Sequence, residues 1–417
     1  MVAENTLTTF SGALKQLYRG KVVENLTYPG NRLLGLMPKF TGFVGKNMPI
    51  PIIYGNPQGR SATFATAQSN KTAMLVESFD LTRTKNYALA SIDGELMDAT
   101  EGDLGAFLSA TSATIEGAMR ELSNDIGRNL YLRSYGTRGV VGSESTVTLT
   151  LSNAEDANNF EVGQEICSMH TLGTPLDSGD ACTITAIDRD AGTLTSDESW
   201  ATKISGLDAG DYLYVSGDAN AKMSGLADWI PSSAPSSADY YGVNRSVDVV
   251  RLGGNRVTGT GGTIEEALID AAVVCASQGG APDYAFVSFT DWRKLQKTLQ
   301  SRAVIVNGRR DGISELQARG GNGKLIPEIG YEAIVLNGPS GPIYVLPDQG
   351  APVARGYVLT MSSWVLASLG EVPRLLARNG SKYVIESASD GCEVRAGAYL
   401  NAGCSAPGWN ATVSFPS

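Results

Sequence analysis

The residues Leu104, Phe107, Leu108, Thr111, Ile115, Met119, Leu122, Ile126 and Leu130 recur at intervals of three and four, which sets them in one stripe along one side of an α-helix. Asp103 stands where an N-cap belongs. Running to about Arg133, this helix spans roughly 45 Å at about 1.5 Å per residue, far beyond the usual length of about 11 to 12 residues. Glu116 and Arg120 sit four apart and support its exposed side. No other local signal in the chain is as strong.

What precedes the helix has little apolar pattern of its own. Residues 1–45 hold a short helical candidate, Thr9 to Arg19, and then VVENLTYPGNRLLGLMPKF, where Pro29, Gly30, Gly35 and Pro38 break any long element. This reads as an extended arm laid on another surface, in its own subunit or a neighbour. Residues 46–98 read as two long strand segments, MPIPIIYG and SFDLTRTKNYALASID, separated by the polar stretch NPQGRSATFATAQSNKTA. Phe79, Leu81, Tyr87 and Leu89 alternate at period two. A two-stranded ribbon is marginal in water by itself, so a partner surface is expected.

After the helix region, 99–140, the pattern changes. Over 141–240 the short segments TVTLTL, ACTITAI, GTLTS and DYLYVSG come at intervals suited to a small barrel or sandwich, followed by the linker WIPSSAPSSADYYG. An inserted all-β domain is expected. It carries three basic and sixteen acidic residues, whereas residues 1–50 carry six basic and two acidic ones. Asp188, Asp190 and Gly192 match the start of a calcium loop, but Ser199 stands where a bidentate Glu is required, so a tight hairpin turn is the better reading. Residues 241–302 and 303–417 complete a mixed α/β core. Thr263 and Glu266 form a capping box before a helix that ends at Gly279 and Gly280, and Thr290 is expected to cap a short helix carrying Trp292 and Leu295. Beyond a glycine-rich stretch at 302–324, strand-like runs continue to the C-terminus.

The formal net charge of −10 argues against a general nucleic-acid binder. Charged residues make up only 18%, which buried subunit contacts would explain. Cys167, Cys182, Cys275, Cys392 and Cys404 are an odd set without a CxxC pair and read as buried free thiols. No signal pattern opens the chain and no run of about 18 apolar residues occurs, so the expectation is a soluble protein assembled in cytoplasm, with no membrane partner. His170 is the sole histidine, which excludes HExxH and multi-histidine centres, and it reads as a solvated loop residue. GGNGK fails as a P-loop because Ala318 and Leu325 occupy positions that need Gly and Ser or Thr. No catalytic, cofactor-binding or metal-binding residue is assigned, and no cofactor is expected. The candidate subunit contacts are Arg60, Phe64 and Lys71 in the hairpin tip, and Arg309, Arg310 and Arg319 in the glycine-rich loop.

The order of these segments resembles the tailed-phage capsid fold, the HK97 fold, an α+β architecture. VVENLTYPGNRLLGLMPK is similar to that family's N-terminal arm, GRSATFATAQSN to its E-loop, and the stripe from Leu104 to Leu130 to its spine helix. TIEEALIDAAVVCASQGGAPDYAFVSFTDWRKL resembles its peripheral domain, and PIYVLPDQGAPVARGYVLTMSSWVLASLGEVPRLL with CEVRAGAYLNAGCSAPGWNATVSF resembles its axial-domain and C-terminal strands. The β-rich segment corresponds to no core element of the family, and its acidity suggests that it projects into solvent. The resemblance implies a non-enzymatic major capsid protein of the virion, assembled in a bacterial cytoplasm into hexamers and pentamers of an icosahedral shell. A portal protein, a separate scaffolding protein or none, decoration proteins where the shell carries them, and weakly held packaged double-stranded DNA are the implied partners. Some members cross-link a Lys of the E-loop to an Asn of the next subunit; Lys71 lies in a comparable stretch, but no partner Asn and carboxylate match, so it reads as a solvated side chain. Two other readings stand beside this one: an encapsulin-like compartment shell, which shares the fold, and a β-rich adhesin or tail-fibre module, which leaves the long helix unexplained.

Overall fold

The stripe of the sequence becomes a helix of 26 residues, Leu104–Asn129, in the computed structural model, which describes residues 31–93, 104–176, 180–259, 261–302, 334–376, 383–385 and 391–416. The expected arm helix and most of the glycine-rich stretch lie outside the described residues. Leu122, Ile126 and Leu130 are at most 2% exposed, each contributing roughly 1.5–3 kcal/mol by burial. The helix stops short of Arg133 because another segment meets its end. The amide of Leu226 donates to the Leu130 carbonyl at 2.7 Å and that of Gly225 to the Leu132 carbonyl at 3.2 Å, satisfying groups that would otherwise be orphaned. Only glycine fits there, since a Cβ at 225 would lie 2.3 Å from the Asn129 carbonyl oxygen.

Two strands receive the helix: Thr84–Asp93 and the 14-residue strand Gly391–Cys404, paired antiparallel from Leu400↔Thr84 to Gly391↔Asp93. The long strand also pairs with Trp364–Ser368, and Lys39–Phe40 adds a parallel edge. The expected continuous strand through SFDLTRTKNYALASID is divided at Arg83. Leu75–Thr82 pairs with Asn47–Gly55 in a separate ribbon, and Thr84–Asp93 joins the main sheet. The alternation changes phase at the break, because a one-residue shift exchanges the two faces of a strand. Phe79 and Leu81 are fully buried, but Tyr87 and Leu89 are 48% and 60% exposed while Ala90 faces the helix.

A second six-stranded sheet runs Asn255–Thr258, Ala411–Ser414, Arg355–Leu359, Tyr284–Val287, Gly341–Pro347 and Ile334–Gly338. Helix Ile264–Ser277 packs on it, opened by the capping box of Thr263 and Glu266. The next helix starts at Phe289, one residue before the expected cap. Ser288 caps it instead, its hydroxyl accepting from the Asp291 amide at 3.1 Å.

Between Thr137 and Val215 the chain forms a closed antiparallel ring. Thr137–Ser145 pairs with Thr148–Leu151, which pairs with Thr193–Ser196, then Cys182–Asp188, Glu165–Thr171 and Tyr212–Val215, which returns to the first strand. Phe160, Ile166, Leu194, Trp200 and Leu213 fill this barrel and are fully buried. Asp188 makes the hairpin turn, accepting from the amides of Asp190 and Ala191 at 3.0 Å. His170 lies on a barrel strand rather than in a loop, its Nδ1 2.6 Å from Oδ1 of Asp211.

Where the barrel meets the helix, Asp125 is buried among donors from every element around it. Its Oδ1 accepts from Arg138 at 2.6 Å, and its Oδ2 from Asn86 at 2.5 Å, Asn129 at 2.9 Å and Lys222 at 3.0 Å. Asp218 faces the same two cations, 3.1 Å from Lys222 and 3.6 Å from Arg138. Burial alone would raise the Asp125 carboxyl, but Arg138, Lys222, Asn86 and Arg128 outweigh it and hold the group at about 2. Burial, joined by the charge of Asp125, pushes Asp218 upward, so Asp218 takes the first proton on acidification.

Replacing Asp125 by Ala leaves Arg138 and Lys222 with Asp218 as their one acidic partner among the described residues and is expected to lower stability by about 3 kcal/mol in urea unfolding. Because the folded carboxyl lies near 2 and an unfolded aspartate at 3.8, the Asp125 contribution is complete above about pH 5 and lost as pH falls toward 2. The Asp125→Ala chain should lack that part of the acid slope.

Candidate assembly surfaces

The ribbon of Asn47–Gly55 and Leu75–Thr82 changes character along its length. At its base Ile50, Ile52, Phe79 and Leu81 enter the main core, where the Phe79 ring meets Trp229 edge-on at 5.0 Å. At its outer end Ile53, Met74, Leu75 and Val76 are between 47% and 60% exposed. The tip carries a short helix, Phe64–Ser69, with no buried residue. It is tied locally: the Gln58 amide donates to the Thr72 hydroxyl at 2.8 Å and the Thr63 hydroxyl to that of Thr66 at 2.7 Å. Those bonds shape the tip without giving it a core. Phe64 is 84% exposed, and a run of apolar side chains on one projecting element marks a contact surface.

Of the six residues singled out from sequence, Arg60, Phe64 and Lys71 lie together on this tip, all exposed. Arg309, Arg310 and Arg319 lie outside the described residues. Met74, Leu75 and Val76 were missed because they follow a polar separator and open a strand whose inward face lies further along. The usable signal was three consecutive apolar residues after a polar tip, more than one strand face can hide.

A second concave region, a cleft of about 590 Å³, separates the barrel from the second sheet and is lined in part by Arg128, Arg133, Glu155, Asp156 and Arg355. The Thr290 hydroxyl donates to the Glu155 carboxylate across it. Burial, supplemented by the Glu155 charge, raises the Asp156 carboxyl to about 6, against a bond from Asn153 that favours ionisation. Among the described residues, no group of three His, Cys, Asp or Glu side chains is placed to hold a metal ion. Cys167, Cys182, Cys275 and Cys404 are buried free thiols and Cys392 is half-buried; burial raises the thiol of Cys275 and that of Cys404 to about 12, far from thiolate reactivity.

No family model matches the sequence, and no curated relative matches it. Solved structures do. The subunit of the cyanophage A-1(L) capsid asymmetric unit is 13% identical, with 99% of each chain covered and a TM-score of 0.58. The capsid of the native GTA particle is 11% identical over 100% of both chains at a TM-score of 0.48, and the holo-SrpI encapsulin complex of Synechococcus elongatus PCC 7942 is 7% identical over 99% of this chain and 96% of that one at 0.44. The chain has the HK97-like fold of a phage capsid subunit, with mixed α and β content.

A carboxyl raised in the folded state favours folding at low pH: Asp156 destabilises above about 6 and ceases to do so toward 3.8. Asp156→Asn is therefore expected to raise the melting midpoint at pH 7.5 and leave it unchanged at pH 4 in paired scanning-fluorimetry runs.

Proposed function

We propose that this chain, folded as a phage capsid subunit is folded, is the major capsid protein of a tailed phage. It acts without catalysis, self-assembling into hexamers and pentamers of an icosahedral virion shell around double-stranded DNA. One observation carries the reading: the ribbon sinks its base into the core and leaves Ile53, Phe64, Met74, Leu75 and Val76 uncovered at the other end. Such a surface is costly on a monomer and suited to an obligate contact between copies. Arg60 and Lys71, beside Phe64, belong to that contact, and Arg309, Arg310 and Arg319 are proposed to form a second one.

The barrel over Thr137 to Val215 is proposed as the insertion into this fold, projecting outward with its thirteen acidic residues. A portal protein is the partner of the assembled shell, with a separate scaffolding protein or none, and decoration proteins where the shell carries them. Contact with packaged DNA is weak, since a chain of net charge −10 offers little grip on phosphate.

Expression of the chain, alone and with a candidate scaffold from the same genome, should give closed shells or capsomer sheets by negative-stain electron microscopy. Phe64→Ser combined with Val76→Ser should abolish particles while leaving the subunit's melting midpoint within a few degrees. A homogeneous monomer under every condition would overturn the reading, and native particles filled with an enzyme rather than DNA would replace it by a compartment shell. Antibodies raised against the barrel should label intact particles; complete lack of access would refute its outward placement.

A further inference from the structure

The ribbon of Asn47–Gly55 and Leu75–Thr82 is a two-stranded sheet, and among the described residues no third strand joins it. Its two outer edges differ. On the Leu75–Thr82 side the body of the subunit meets the outward groups: the Asp80 amide donates to the Tyr241 carbonyl at 2.9 Å, and the Thr82 carbonyl accepts from Asn401 Nδ2 at 2.6 Å. On the Asn47–Gly55 side the body reaches Tyr54, whose carbonyl accepts from Arg251 at 2.6 Å where the register shifts.

The pairing fixes which groups lie along the rest of that second edge. Asp80 and Thr82 direct backbone groups away from the partner strand, so Pro49 and Asn47, opposite them, face outward too, as does Pro51 opposite Ser78. From Asn47 to Pro51 the edge therefore presents three carbonyls but one amide, that of Asn47, because proline has no N–H. An arriving strand needs a donor at alternate residues and meets proline at two of them in succession. The surroundings would otherwise invite it: Met48, Ile50, Ile52, Ile53 and Tyr54 lie in an uncharged run from Asn47 to Gly55, the composition that pairs edge to edge.

We propose that Pro49 and Pro51 shut the free edge of the ribbon against strand addition by a second copy of the chain. Both prolines are exposed, so neither fills the core. Each stands where the missing N–H would face outward, which breaks no bond of the ribbon itself. Their effect falls on the meeting of copies. The inference concerns the free subunit and stands independently of the shell reading.

The full chain carrying Pro49→Val and Pro51→Val is compared with the parent by thioflavin T fluorescence, size-exclusion chromatography and scanning fluorimetry. The melting midpoint should stay within a few degrees, because no native hydrogen bond is removed. Thioflavin-positive material of high molecular weight should rise on the order of tenfold. Pro49→Lys with Pro51→Lys restores both amides but sets charge on the edge, and should stay at the parent level. A valine variant as free of such material as the parent overturns the inference. So does a lysine variant that aggregates as the valine one does, since loss of proline would then act through folding rather than through the edge. Negative-stain microscopy of the same samples separates edge-paired aggregates from closed shells, whose presence or absence bears on the shell reading alone.

Discussion

Taking a carboxylate and its counter-ions out of water costs several kcal/mol per ion even after relaxation, so whatever neutralises Asp125 must arrive complete and well aimed. Its donors come from the strand before the helix (Asn86), the helix itself (Asn129), the strand entering the barrel (Arg138) and the segment leaving it (Lys222). Arg138 and Lys222 both reach Asp125 only when the barrel's entrance and exit lie side by side against the helix. Apolar burial makes the core stable here, while this constellation fixes the arrangement of four elements that apolar packing alone would leave free to slide.

The parts of the fold that were legible in the sequence are those governed by neighbours along the chain. The helical stripe, the capping box of Thr263 and Glu266, and the turn at Asp188 each depend on residues within one or two turns of one another. The phase reversal at Arg83 was not legible: Phe79, Leu81, Tyr87 and Leu89 obey one alternation on paper, and only the partner strands reveal that they serve different sheets. The ion cluster was equally hidden, because Asp125, Arg138, Asp218 and Lys222 have no mutual spacing that marks them. At the candidate surface, composition located the tip with Arg60, Phe64 and Lys71, whereas Met74, Leu75 and Val76 emerged only once their exposure was known.

The uncovered apolar side chains and the sparse charge of the chain have a common origin. A subunit with 18% charged residues has little to cover its surface with, and the exposed Tyr87, Leu89, Phe64 and Val76 lie on elements that extend from or lie outside the main core. The three buried tryptophans show the opposite discipline. Trp200, Trp229 and Trp364 each donate their indole N–H to an acceptor, respectively the Val147 carbonyl, the Ala402 carbonyl and Asn410 Oδ1. The buried indoles find acceptors, and apolar concealment is deferred at the periphery.

The barrel is joined to the rest by neighbours: its first and last strands pair with each other, Thr137 opposite Tyr214 and Gly139 opposite Leu213. Its ring of strands closes upon itself, and its interior is filled by its own side chains. A module with adjacent ends behaves as an enlarged turn. Apart from Arg138, which reaches Asp125, and Glu155, which accepts from Thr290, the surrounding fold asks chiefly that two backbone positions remain a strand spacing apart. Modules of quite different size that keep an arginine at the position of Arg138 can therefore be exchanged at this point without altering the registers of the sheets below.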